Sequence, residues 1–168
     1  RDPAFYATVR THVLPYLATY PLIRVWHAGC ATGEEVYSMA ITLMQEGLYQ
    51  RAHLYATDFN NESLDTAKAG VYPLDKMRQF MANHNRSAPK GSFSDYYVAN
   101  DHSARFVDAL RQHITFANHN LVTDGVFGEM NMIVCRNVLI YFDRELQNRV
   151  LNLFSESLAH RGFLCLGP

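Results

Sequence analysis

The sequence predicts an α/β fold with a mainly parallel, doubly wound sheet and a small inserted β-subdomain, and three observations carry that prediction. Short apolar runs of strand length, at residues 23–27, 53–58, 113–117, 130–135 and 163–166, alternate with segments whose apolar residues recur at helical spacing. The first of these runs passes through a small-residue turn, Ala28-Gly29-Cys30-Ala31-Thr32-Gly33, directly into a helical pattern. From about residue 73 to 111 the alternation loosens into short strands and turn signals, as an insertion into the core would.

The chain starts Arg1-Asp2-Pro3 and leads into a helix from about Ala4 to Thr19, with Phe5, Val9, Val13, Leu14 and Leu17 on one side and Pro15 expected to bend or end it. An abrupt start without Met reads as a fragment of a longer protein. The strand Ile23 to His27 then enters the glycine turn, where small residues let a ligand approach the backbone and the helix start offers unpaired N–H groups. Thr32 is a candidate N-cap, and Gly33 keeps the entrance open. Val36, Tyr37, Ala40, Ile41 and Met44 mark the helix behind it. The spacing Gly29-x-x-x-Gly33 falls short of the dinucleotide fingerprint G-x-G-x-x-G, and a plain tight turn is the alternative. Glu34 and Glu35 either complement the helix dipole or favour a cationic ligand; a pyrophosphate would be repelled.

The strand from His53 ends in Asp58, about 25 residues beyond Gly33, where nucleotide-binding sheets carry the carboxylate that accepts from ribose hydroxyls. Capping the next helix, Asn61 to Ala69, closed by Gly70, is the competing role for Asp58. In the insertion, Met77, Phe80 and Met81 suggest helical turns, and Ser92–Val98 and Arg105–Val107 short strands around Tyr96 and Tyr97. The core resumes with His113–Ala117 and Asn118-His119-Asn120-Leu121, then Met130–Cys135 ending at Arg136-Asn137. A helix from about Asp143 to Ala159, with Leu146, Val150, Leu153, Phe154 and Leu158 inward, is closed by His160-Arg161-Gly162 before the last strand, Phe163–Leu166. Ligands of such sheets lie over the carboxyl ends of the strands, where Gly29, Asp58, Asn120, Arg136 and Asn137 fall.

At 168 residues, 48% apolar and with a net charge of -1, the chain suits one domain without a strong electric field, which argues against nucleic acid as a partner. No apolar run approaches the ~20 residues of a membrane span, no signal peptide opens the chain, and a cytoplasmic protein without membrane insertion is expected. The three cysteines, Cys30, Cys135 and Cys165, are too widely spaced for a disulfide framework or a CxxC metal site, and the eight histidines show no HExxH spacing.

The run Arg24 to Ser38, then Ala56-Thr57-Asp58, Asn120-Leu121 and Cys135-Arg136-Asn137-Val138-Leu139-Ile140-Tyr141-Phe142 resemble the CheR family, S-adenosylmethionine-dependent methyltransferases that esterify glutamates of chemotaxis receptors. The resemblance covers the whole chain and implies a Rossmann-like class I methyltransferase domain. It implies that Arg1 ends an arginine motif beside the methyl donor, needed for activity, and that Tyr141 is an active-site tyrosine. It further implies cofactor contacts for Glu35 and Asp58, the latter on the ribose, for Asn120 and Leu121 beside the adenine, and for Arg136 and Asn137. Gly29 belongs to the same set through its turn. Val36 stands where the family often has Pro, and His27 where small residues are common. The family carries an N-terminal helical domain and C-terminal strands that this chain lacks; its small β-subdomain corresponds to about residues 73–111. The implied partners are the cytoplasmic helices of chemoreceptors, and the product of the cofactor is S-adenosylhomocysteine. Two alternatives stay open: an inactive S-adenosylmethionine-binding sensor or scaffold, and an NAD-dependent oxidoreductase, disfavoured by the incomplete glycine pattern.

Overall fold

The computed structural model describes residues 2–86 and 90–167. Helix α1 (Pro3–Thr8) starts at an Asp2 N-cap whose carboxylate accepts from the Ala4 and Phe5 N–H groups, with Pro3 in the first turn, where its missing donor costs nothing. The helix widens into a π turn over Val9–Val13, in which the Leu14 N–H reaches Val9 O, and resumes as α2 (Leu14–Leu17). Pro15 explains the widening: it has no N–H for the regular bond back to residue 11, and its ring needs the room. The expected bend is therefore a π turn, and the helix ends at Leu17 rather than Thr19.

Strand β1 (Ile23–Ala28), helix α3 (Glu34–Gln45), strand β2 (Ala52–Asp58) and helix α4 (Asn61–Ala69) follow as read. Gly70, left-handed at φ 62°, closes α4. The insertion consists of β3 (Val71–Pro73), α5 (Leu74–Arg86), a 3₁₀ turn at Phe93–Tyr96, β4 (Tyr97–Ala99) and β5 (Ser103–Phe106). These strands make a separate antiparallel sheet in the order β3-β5-β4. One expectation needs correction here. Ser92–Tyr96 is no strand, because the Ser92 side chain caps the turn at Ser94 N, and β3, three residues held by pairing with β5, is too short to carry a periodic signal in the sequence.

After the short α6 (Asp108–Arg111), strands β6 (Ile114–Asn118) and β7 (Met130–Cys135), helix α7 (Arg144–Ser157) and strand β8 (Leu158–Leu166) complete the core. The main sheet runs β6-β2-β1-β7-β8, and every pairing in it is parallel. α7 stops at Ser157, and the residues read as its closure lie in β8, where Arg161 takes a left-handed φ of 62° within the register shift against β7. No helix joins β6 to β7; a loop spans residues 119–129 instead.

Alternation along β1 and β7 divides the core between the two faces of the sheet. Ile23, Val25, Met132 and Val134 pack with α1–α4 and the insertion, whereas Trp26, Ala28, Ile133 and Cys135 pack with Val150, Leu153 and Phe154 of α7. Each large side chain buried this way contributes roughly 1.5–3 kcal/mol. Among the described residues no helix is long and apolar enough to cross a membrane.

Candidate active site

The turn after β1 is shaped by bonds from its neighbours. The N–H groups of Gly29 and Cys30 both donate to Thr57 O, at 2.8 and 2.9 Å, and the Ala31 N–H donates to Asp58 Oδ2 at 2.8 Å. Gly29, Ala31 and Gly33 all have positive φ, at 73°, 47° and 86°. Gly29 is required for a second reason: a Cβ there would stand 2.5 Å from Val138 Cγ2. The N-cap of α3 is Gly33, not Thr32, whose hydroxyl instead donates to Glu34 Oε2 at 2.7 Å.

The two acids opening α3, which the sequence left between complementing the helix dipole and favouring a cationic ligand, are both ion-paired within the protein. Glu34 is buried against Lys76 Nζ at 2.8 Å. Burial opposes its ionisation, but hydrogen bonds from Lys76 and Thr32 outweigh it and hold the carboxyl below its usual range. Glu35 pairs with Arg136 Nη1 at 2.9 Å, while Arg136 Nη2 meets Asp2 at 3.0 Å. The Arg136 guanidinium lies 4.3 Å from the Phe5 ring centre, and its Nε is buried without a partner.

Over the carboxyl ends of β1, β2, β6 and β7 opens a cleft of about 670 Å³. Of the residues singled out in the sequence, Gly29, Asp58, Asn120, Leu121, Arg136, Asn137 and Tyr141 line it. Glu35 does not; it reaches the cleft only through Arg136. Arg1 lies outside the described residues. Asp58 accepts from Ala31 N and from Asn60 N at 2.9 Å, and the cap of α4 is Asn60, which accepts from Ser63 N. Two amide bonds leave lone pairs on a carboxylate, so Asp58 can still accept from a diol. Asn120 organises its own loop: Oδ1 accepts from Val122 N and its N–H donates to Asp124. Tyr141 is 80% exposed on a 3₁₀ turn at the mouth.

Sequence reasoning missed Phe59, His119, Val138 and Phe142, which also line the cleft. Phe59 carried a signal, being a large apolar residue directly after the strand-end acid, and it is 72% exposed. His119 is buried edge-on to Trp26 and Phe127, with Nε2 3.0 Å from Gly125 O. Among the described residues no group of three or more His, Cys, Asp or Glu side chains is placed to hold a metal ion.

A family model described as "CheR methyltransferase, SAM binding domain" matches residues 1–168. The chain belongs to the CheR methyltransferase family. Its CheR domain is 52% identical over 167 residues to "Putative methyltransferase Cher3" of Pseudomonas putida, covering 99% of this chain and 61% of that protein. It is 37% identical over 149 residues to "Chemotaxis protein methyltransferase 2" of Pseudomonas aeruginosa, covering 86% of this chain and 52% of the relative. The chain thus spans roughly three-fifths of the first relative and half of the second. Its fold is shared with an O-methyltransferase of a trans-AT PKS multienzyme from Brevibacillus brevis, solved with S-adenosyl-L-homocysteine, at TM-score 0.58 and 12% identity, covering 98% of this chain and 40% of that one.

The cofactor of this CheR domain is S-adenosylmethionine, and the residues present fit it. Asp58 offers acceptors for ribose hydroxyls, the exposed Phe59 ring and buried Leu121 offer apolar surface for a base, and Arg136 keeps one buried N–H without a partner.

Proposed function

We propose that the chain, as part of a longer cytoplasmic protein, transfers a methyl group from S-adenosylmethionine to glutamate side-chain carboxylates on the cytoplasmic helices of chemoreceptors. The observation that supports this most is the position of Tyr141, exposed at the mouth of the cleft that Asp58 and Arg136 line. Similarity to relatives such as "Chemotaxis protein methyltransferase 2" supports the acceptor. When bound, the cofactor supplies a methyl on a positively charged sulfur; a carboxylate oxygen forms the new O–CH₃ bond as the S–CH₃ pair leaves with sulfur, and no proton moves.

A carboxylate is already ionised at neutral pH, so the protein needs to supply alignment and exclusion of water rather than a base. Alignment alone is worth up to roughly 7–11 kcal/mol. Asp58 and the Gly29 turn fix the donor side. Tyr141 offers a hydroxyl to the incoming carboxylate, and Arg1, assigned from the family resemblance, adds a positive charge there. With a net charge of -1 the acceptor is recognised locally rather than steered from afar.

The test uses full-length protein, donor labelled in the methyl group and a receptor cytoplasmic fragment. Label should enter the receptor as an ester, released as volatile methanol by mild base. Tyr141→Phe should lower kcat at least tenfold while S-adenosylhomocysteine affinity changes by less than about twofold, the pattern of an interaction made mainly in the transition state. Base-stable label, or label in a small molecule, would overturn the acceptor. Cofactor binding without transfer to any acceptor would favour a sensor or scaffold.

A further inference from the structure

The donor turn holds a conformation it would not adopt unaided. Left-handed φ alternates through Gly29, Ala31 and Gly33, and Ala31 has a Cβ that disfavours this region by roughly 1–2 kcal/mol. Such strain persists only where the surroundings over-determine it. Thr57 and Asp58 secure the first half of the turn, through the N–H groups of residues 29, 30 and 31.

The second half is secured from the insertion. The Tyr72 hydroxyl, on β3, donates to Thr32 O, although 40 residues separate the two in the chain. Tyr72 is 1% exposed, and burial raises its phenol pKa so that it stays a donor. Lys76, in the first turn of α5, closes over the Tyr72 ring at 6.0 Å and pairs with Glu34, whose other oxygen holds the Thr32 hydroxyl. Tyr72 also packs edge-on against Phe106 of β5, and Phe106 N donates to Gly70 O. A Cβ on Gly33 would approach the Tyr72 oxygen to 3.4 Å and the Ala67 Cβ to 2.8 Å, so the turn is seated against both α4 and β3.

We infer that Tyr72, with Lys76 beside it, is a positioning residue for the methyl donor: the inserted sheet is a structural part of the cofactor site and sets its affinity. A turn strained at Ala31, and tied on one side by β2 and on the other by β3, relaxes when one tie is cut. The loss then falls on the ligand that requires the tied form. By reciprocity, cofactor binding must steady the inserted sheet to the same degree. The inference rests on S-adenosylmethionine as the cofactor.

Two measurements on the full chain test it. In Tyr72→Phe the ring and its packing remain and one hydrogen bond goes, so S-adenosylhomocysteine should bind about three- to tenfold more weakly by calorimetry, at a temperature where both proteins are fully folded. The donor KM should rise by the same factor, with the acceptor KM unchanged; a merely structural hydroxyl would lower the melting temperature and leave both constants alone. Affinity equal to wild type overturns the inference. Should the variant fold poorly, hydrogen exchange of the wild-type protein decides. Adding S-adenosylhomocysteine should slow exchange at β3 and β5 as well as at the turn, whereas protection confined to the cleft would overturn the coupling. A wild-type chain that fails to bind the product at all would instead refute the cofactor.

Discussion

Asp58 shows how one side chain serves both fold and ligand. Its oxygens hold Ala31 N and Asn60 N, so it ties the donor turn to the end of β2 while remaining in the cleft wall. Asp58→Ala should weaken S-adenosylhomocysteine binding by ~1.5–3 kcal/mol, as loss of a charged hydrogen-bond partner does. Asp58→Asn, which keeps one carbonyl oxygen, should lose less, and calorimetry on the pair checks the order. The position was legible because a strand-end acid is a local signal. Its second task was not, because Ala31 reaches it only after the sheet has formed. His27 is the opposite case, a buried imidazole on β1 that burial lowers to about 3. Its folded pKa lies below the unfolded 6.5, so the unfolded chain takes the proton first, and stability is full above that value and falls as pH drops towards 3. Between pH 7.5 and 5 this one group should cost about 2 kcal/mol. Urea titrations should show that share of the pH slope in wild type and not in His27→Ala; identical slopes would exonerate the imidazole.

At the scale of elements, the five main strands and the helices α3, α4 and α7 were readable because apolar periodicity is written in consecutive residues. What stayed hidden depends on partners distant in sequence: Glu34 with Lys76, Glu35 with Arg136 across 101 positions, and β3 with β5. The two roles open to the acids could not be separated in the sequence because their counter-ions, Lys76 and Arg136, lie far along the chain. Gly29 lines the cleft, and a side chain there would in addition meet Val138, a neighbour the sequence could not name. Gly29→Ala should therefore destabilise the fold by more than about 1 kcal/mol and weaken cofactor binding, since φ is positive there and the new methyl meets Val138. Adding Val138→Ala should restore part of the loss, because the clash goes while the backbone strain stays. Denaturant midpoints of the three variants give the cycle, and a fully silent Gly29→Ala would contradict the turn.

For the whole molecule, the sheet order and both hydrophobic clusters place the cleft at the strand ends that the sequence reading named, but the insertion is more closely bonded to the core than its loose pattern suggested. A ligand that binds only the folded form at 100 times its Kd should stabilise it by about 2.7 kcal/mol, and S-adenosylhomocysteine should raise the melting temperature accordingly while NAD should not. The molecule also contains its own optical reporter of that event. Trp26 is the sole tryptophan, and it is fully buried in the sheet, edge-on to the His119 ring that lines the cleft and to Phe127 beyond it. Every tryptophan photon therefore comes from one site, one side chain away from the cofactor wall, and a shift of the His119 loop on binding is read as a change in emission without any label.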